Sequence, residues 1–225
     1  MNKPSEKVDE YLKKFQIFIM PIIQKVHDNE DLENRENKLR NLFLDFSEIK
    51  NTLETLIDYE VYIRRFPYSK TRIVRTRHFK NTVANYLNEI YILKNRLISY
   101  LTKIERSIKD TKARGKVHKA FVPYYEFISE TFKSIVHVRG EHVHDKRYDT
   151  KELNLISMIE YMCTEHDPDV GFHYNDLLNE RYNEVKKEWT KYIETNNSLI
   201  VKLIDSYCDV LIYVMFKADF IRCVA

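Results

Sequence analysis

Three glycines and five prolines in 225 residues are too few to turn a chain many times. Sheets and loop-rich folds consume glycine, proline and other turn formers at every reversal. A chain this poor in them is restricted to a few long elements, and the apolar pattern says which kind. Leu39, Leu42, Phe46, Ile49, Leu53 and Leu56 recur three and four apart. So do Tyr86, Ile90, Leu93, Leu97, Tyr100 and Ile104. A third stripe runs through Leu178, Tyr182, Val185, Trp189 and Tyr192, then Leu199, Leu203 and Val210, with Asn196 interrupting it. These are apolar faces of long helices packed on one another. The expected fold is a single all-α antiparallel helical bundle over residues 1–225.

The coarse helix map begins with Glu6 to His27, with a kink expected at Pro21. Asp31 to Arg64 follows, stopping before Phe66-Pro67. Lys70 to Asp110 is expected to end near Gly115. Val117 to Val138 starts close to Pro123. A short helix from Lys151 to Cys163 is capped by Thr150, and a long last helix covers Tyr174 to Phe220.

Composition excludes several classes. Apolar residues make up 44% of the chain, enough for a packed core, so it is not a disordered tail. The 37 basic and 34 acidic residues nearly balance, so a polyanionic partner requires segregated charge. The most apolar C-terminal window, Leu199 to Phe216, holds Lys202, Asp205 and Asp209, which suits a buried helix and not a bilayer span. The amino terminus lacks an apolar secretory core. Cys163, Cys208 and Cys223 are widely spaced without a Cys-x-x-Cys pair, which points to the reducing cytoplasm and away from structural zinc.

One segment carries most of the chemistry. His137-Val-Arg139-Gly-Glu141-His142-Val-His144-Asp-Lys-Arg147-Tyr148 contains three of the eight histidines and one of the three glycines. Imidazole titrates near neutrality, and guanidinium matches phosphate oxygens with paired donors. Arg139 and His144 are five residues apart, about 140° around a straight helix, so they diverge unless the helix ends or a second subunit takes part. Gly140 permits a bend. Metal is the competing chemistry, with His137, His142 and His144 as ligands and Glu141 or Asp145 as a fourth. Surface histidines on a connecting turn are the plain alternative.

An arginine, four residues and a histidine, at a turn between two helices of an all-α bundle, resemble the HEPN (higher eukaryotes and prokaryotes nucleotide-binding) domain. The resemblance implies a metal-independent endoribonuclease that works as a homodimer, with the two Arg–His pairs facing each other. It implies toxin or phage-defence roles, RNA as substrate and, for a toxin, an antitoxin protein as partner. Arg139 would bind phosphate and His144 would transfer protons, with Glu141 and His142 as accessory candidates. No cofactor and no metal are implied. The family commonly has a polar residue straight after the arginine, and this chain has Gly140. The alternative is a catalytically silent module of the same fold that binds a protein or nucleic acid.

A second signal is a basic run. Arg64, Arg65, Lys70, Arg72, Arg75, Arg77 and Lys80 occur without an acid between Arg64 and Asn88. Cations early in a helix oppose its dipole, which an anionic partner would offset. Arg72, Arg75, Arg77 and Lys80 are therefore candidate RNA contacts, with Tyr62, Phe66, Tyr68 and Phe79 interleaved for stacking. The alternative is a solvated face, or pairing with acids such as Glu30, Asp31, Glu33 and Glu36. A second basic cluster, Lys109, Lys112, Arg114, Lys116 and Lys119, reads as solvation.

Overall fold

Six helices account for almost everything that the computed structural model describes, which is residues 5–65, 74–133, 151–165, 168–218 and 220–224; of 164, 165 and 168–173 it describes only the helical backbone. α1 spans Glu6–His27 and α2 Asn34–Tyr62. α3 spans Arg75–Ser107 and α4 Thr111–Thr131. α5 spans Lys151–Glu165 and α6 Pro168–Ile212. A π-turn (Tyr213–Lys217) and a 3₁₀ turn (Phe220–Cys223) close the described chain. Among the described residues there is no strand, only an isolated antiparallel bridge between Ile108 and Val224. The fold is an all-α helical bundle.

Local chemistry explains the ends. The Ser5 hydroxyl accepts from the Val8 backbone N–H and starts α1, with Glu6 and Asp9 at its positive end and Lys25 and His27 at its negative end. The helix continues through Pro21, whose ring removes one intrahelical hydrogen bond. α2 begins three residues later than the sequence suggests. Asn29 takes a left-handed conformation (φ 57°), and Glu33 and Glu36 then form a reciprocal capping box. α4 begins six residues earlier than expected, at Thr111, because Asp110 caps it by accepting from the Ala113 N–H at 2.6 Å. Gly115 is inside this helix, and the turn is Ile108 to Asp110.

Contacts between side chains give the directions. Asp9–Lys50 and Lys25–Glu36 set α1 antiparallel to α2. Asp45–Lys103, Glu48–Arg96 and a Tyr59–Tyr86 ring contact set α2 antiparallel to α3. His118–Glu105 and Tyr125–Thr102 set α4 antiparallel to α3. Phe79–Tyr182, Tyr86–Asn197 and Tyr207–Leu97 set α6 parallel to α3. α5 packs on both α6 and α3. Only residues 166 and 167 separate it from α6, so the two form an antiparallel hairpin and α5 opposes α3 in direction.

The core is aromatic where α1, α2, α3 and the π-turn meet. Tyr11, Phe15, Phe46 and Tyr100 are fully buried, and the Tyr11 and Tyr100 hydroxyls share a hydrogen bond of 2.7 Å. The π-turn closes through Ala218 N–H to the Tyr213 carbonyl and presses Phe216 against Tyr11, Phe15 and Phe18. Burial pushes the Tyr11, Tyr100 and Tyr207 phenols far above their ordinary range.

Nearer the start of α3 the core becomes polar. Asn197 of α6 donates to the Leu56 carbonyl (2.8 Å) and to Glu60 (3.2 Å) and accepts from the Tyr86 hydroxyl (3.1 Å). Asn197, Glu60 and Tyr86 are almost completely inaccessible. This network fixes α2, α3 and α6 in one register, since a slip of any helix would strand its buried polar atoms.

Candidate nucleic-acid interface

Arg139, Glu141, His142 and His144 lie outside the described residues, as do His137, Asp145 and Arg72. Their setting is fixed on both sides. Upstream, α4 leads to Lys133 with Ile128 and Phe132 fully buried. Downstream, α5 opens at Lys151 with Leu153, Ile156 and Ile159 buried.

Both flanks can be placed along α3. Thr102 lies beside Tyr125, and Arg75 and Thr76 lie beside Glu160. Helices rise about 1.5 Å per residue, so Lys133 comes alongside about Lys94 and Lys151 alongside about Ala84. The two attachment points of the motif segment are thus about 15 Å apart along the middle of α3.

The described part of the basic run meets the same helices. Arg75 is exposed, and its guanidinium donates to the Asn179 side-chain oxygen at 2.8 Å. Its backbone N–H donates to Glu160 at 2.9 Å, and the Thr76 N–H donates to the other oxygen of that carboxylate at 3.3 Å. The anion that meets the positive end of α3 is therefore Glu160 of α5, a nearly buried side chain. A carboxylate there satisfies free N–H groups and the helix dipole together. It also ties the amino end of α3 to the helix that follows the motif. Sequence reasoning missed Glu160, although an acid beside Ile156 and Ile159 on a short helix is an available signal.

Arg77 is exposed and Lys80 half-buried. Arg64 pairs with Glu194 of α6. Of the acids expected as partners of the run, Glu33 and Glu36 cap α2, and Glu36 also holds Lys25. Of the interleaved aromatics, Phe79 is buried edge-on against Tyr182 at 5.9 Å and is core. Tyr62 is 49% exposed and leans on Tyr59. Burial and the nearby Glu89 push the Tyr59 phenol up to about 12. Phe66 and Tyr68 lie outside the described residues.

Among the described residues no cluster of His, Cys, Asp and Glu could hold a metal ion, and no helix is long and apolar enough to cross a membrane. Comparison with family models, with curated proteins and with solved structures finds no match to the chain.

Proposed function

We propose that this chain is a metal-independent endoribonuclease of HEPN type, active as a homodimer in the cytoplasm as a toxin or phage-defence effector. The observation that carries the reading is the Glu160 contact. It joins the start of α3, with Arg75, Arg77 and Lys80, to the helix that leads out of the Arg139–His144 segment. On this reading, cations for the RNA backbone stand at the helix that follows the groups for proton transfer in the chain. For a toxin, the natural protein partner is an antitoxin.

The chemistry needs only the chain and its substrate. A base removes the proton of an RNA 2′-hydroxyl, and the 2′-oxygen bonds to the adjacent phosphorus. The bond from phosphorus to the 5′-oxygen breaks, and an acid protonates that oxygen. The products are a 2′,3′-cyclic phosphate and a 5′-hydroxyl. A neutral or protonated imidazole at His144 serves as base or acid. Arg139 stabilises the extra charge on the phosphorane. A two-fold dimer supplies two copies of each group, which removes the difficulty of their divergence along one helix.

The test is a ranking of variants at equal stability, checked by circular dichroism. His144→Ala loses about 10²- to 10⁴-fold in RNA cleavage. Arg139→Lys is also impaired, because a point charge cannot make the paired phosphate contact. His142→Ala and Glu141→Gln change less. An inactive His142→Ala beside an active His144→Ala overturns the assignment of roles. A monomer at micromolar concentration in light scattering overturns the composite site.

A further inference from the structure

The corner where α3 turns into α4 is far from the Glu160 contact and has its own chemistry. From Arg106 to Lys119 there are six cations, Arg106, Lys109, Lys112, Arg114, Lys116 and Lys119, and one acid, Asp110. All six cations are exposed. Asp110 is engaged as the cap of α4, and no other acid occupies the first turn. Lysines and arginine thus crowd the positive end of a helix, an arrangement that destabilises it.

Their placement is ordered. Val117, Phe121 and Ile128 turn one face of α4 into the bundle. Lys112, Lys116 and Lys119, four and three apart, fall on the opposite pole, with neighbours about 5–6 Å apart. Beside the corner a groove of about 440 Å³ opens between α2 and the end of α3. Lys38, Lys103 and Arg106 line it together with Asn41 and Ser107. Lys103 pairs there with Asp45.

We propose that this corner is a distal anchor for single-stranded RNA, with the lysine row holding phosphates and the strand passing towards the groove. The proposal rests on the ribonuclease reading and extends its substrate contacts. The corner, at Ile108, is about 14 residues of α3 beyond Lys94, the nearer end of the stretch bracketed by Lys133 and Lys151, or about 20 Å. A chain of phosphates can span that distance, and a compact anion cannot. A flat anionic membrane fits less well: on the same pole of α4 the lysine row gives way to Glu126 and Glu130, both exposed, which a bilayer lying along the helix would meet.

The test uses full-length protein carrying His144→Ala, so that RNA stays intact, with and without Lys112→Ala, Lys116→Ala and Lys119→Ala together. Anisotropy of a labelled, unstructured RNA of about 30 nucleotides is followed from about 50 to 300 mM salt. Single-stranded contacts each contribute about 0.7 to the slope of log affinity against log salt, so the triple variant should be flatter by about 2 and bind about tenfold weaker at low salt. Binding within about twofold of the parent, with an unchanged slope, overturns the anchor. Phosphatidylserine–phosphatidylcholine vesicles form a second arm; tight binding by the parent that the triple variant loses, without an effect on RNA, assigns the corner to membranes and overturns the proposal. A wild-type protein that neither binds nor cuts RNA defeats the ribonuclease reading as well. A triple variant that binds RNA like its parent, alongside an active wild type, defeats the anchor alone.

Discussion

Replacing Glu160 by alanine should loosen the amino end of α3 and destabilise the whole bundle. The carboxylate accepts the backbone N–H groups of Arg75 and Thr76, at 2.9 and 3.3 Å, in a nearly buried position. Losing a side-chain cap costs about 0.5–2 kcal/mol, and losing an anion from a partly buried helix start adds about 0.3–2 kcal/mol. The Thr76 N–H, on a buried residue, would also lack its acceptor. The total is about 2–4 kcal/mol. At about 2–4 °C per kcal/mol for a chain of this length, the melting temperature should fall by roughly 4–16 °C. Glu160→Gln keeps the shape and an acceptor oxygen but not the charge, and should lose about half as much. Urea titration with one slope for all three proteins gives the differences directly. If Glu160→Ala unfolds within about 0.5 kcal/mol of the wild type, the carboxylate does not cap α3 and the bridge to α5 carries no energy.

Other outcomes follow from the same packing. Gly115 is helical, and a Cβ added there meets nothing within 4 Å, so Gly115→Ala should raise the unfolding free energy by about 0.5–1 kcal/mol, read from urea titration. Asn197→Ala removes an acceptor of the Tyr86 hydroxyl, the second donor to the Leu56 carbonyl and one contact of Glu60, and should cost about 1–3 kcal/mol in the same assay. Stability should hold to about pH 9 and then decline. The buried Tyr11, Tyr86, Tyr100 and Tyr207 phenols are raised in the fold, so above about pH 10 the unfolded chain loses protons that the folded one keeps. Each phenol then removes about 1.4 kcal/mol per pH unit, which urea midpoints at pH 8 and pH 11 would resolve.

The helices were legible because their apolar faces are long and regular. Every residue of the Leu39–Leu56 and Tyr86–Ile104 stripes is buried. The last stripe drifted. Tyr192 and Leu199 are 41% and 54% exposed, and the core positions are Ile193, Asn197 and Ile200. A repeat of 3.5 drifts by about 20° per heptad against a straight helix of 3.6 residues per turn, so over the two heptads from Leu178 to Tyr192 the inward face moves by about 40°, from Tyr192 towards Ile193. The inward polar residue is thus Asn197, beside the Asn196 that interrupts the stripe. α4 was misread because glycine commonly ends helices, whereas here Asp110 starts one and Gly115 lies within it. At the candidate site, the exposed Arg75 and Arg77 were legible as cations. Their acidic neighbour was not, because Glu160 comes from a helix 85 residues downstream of Arg75 and reaches it only through tertiary packing.

The most direct test of the ribonuclease account is the chemistry of the RNA ends. Purified wild-type protein, treated with chelator, is incubated with RNA and the fragments are analysed by mass spectrometry, beside His144→Ala. The account predicts 2′,3′-cyclic phosphate and 5′-hydroxyl ends from the wild type, at least about 10²-fold fewer from the variant. Intact RNA with wild-type protein, or cleavage that chelator abolishes, would contradict it.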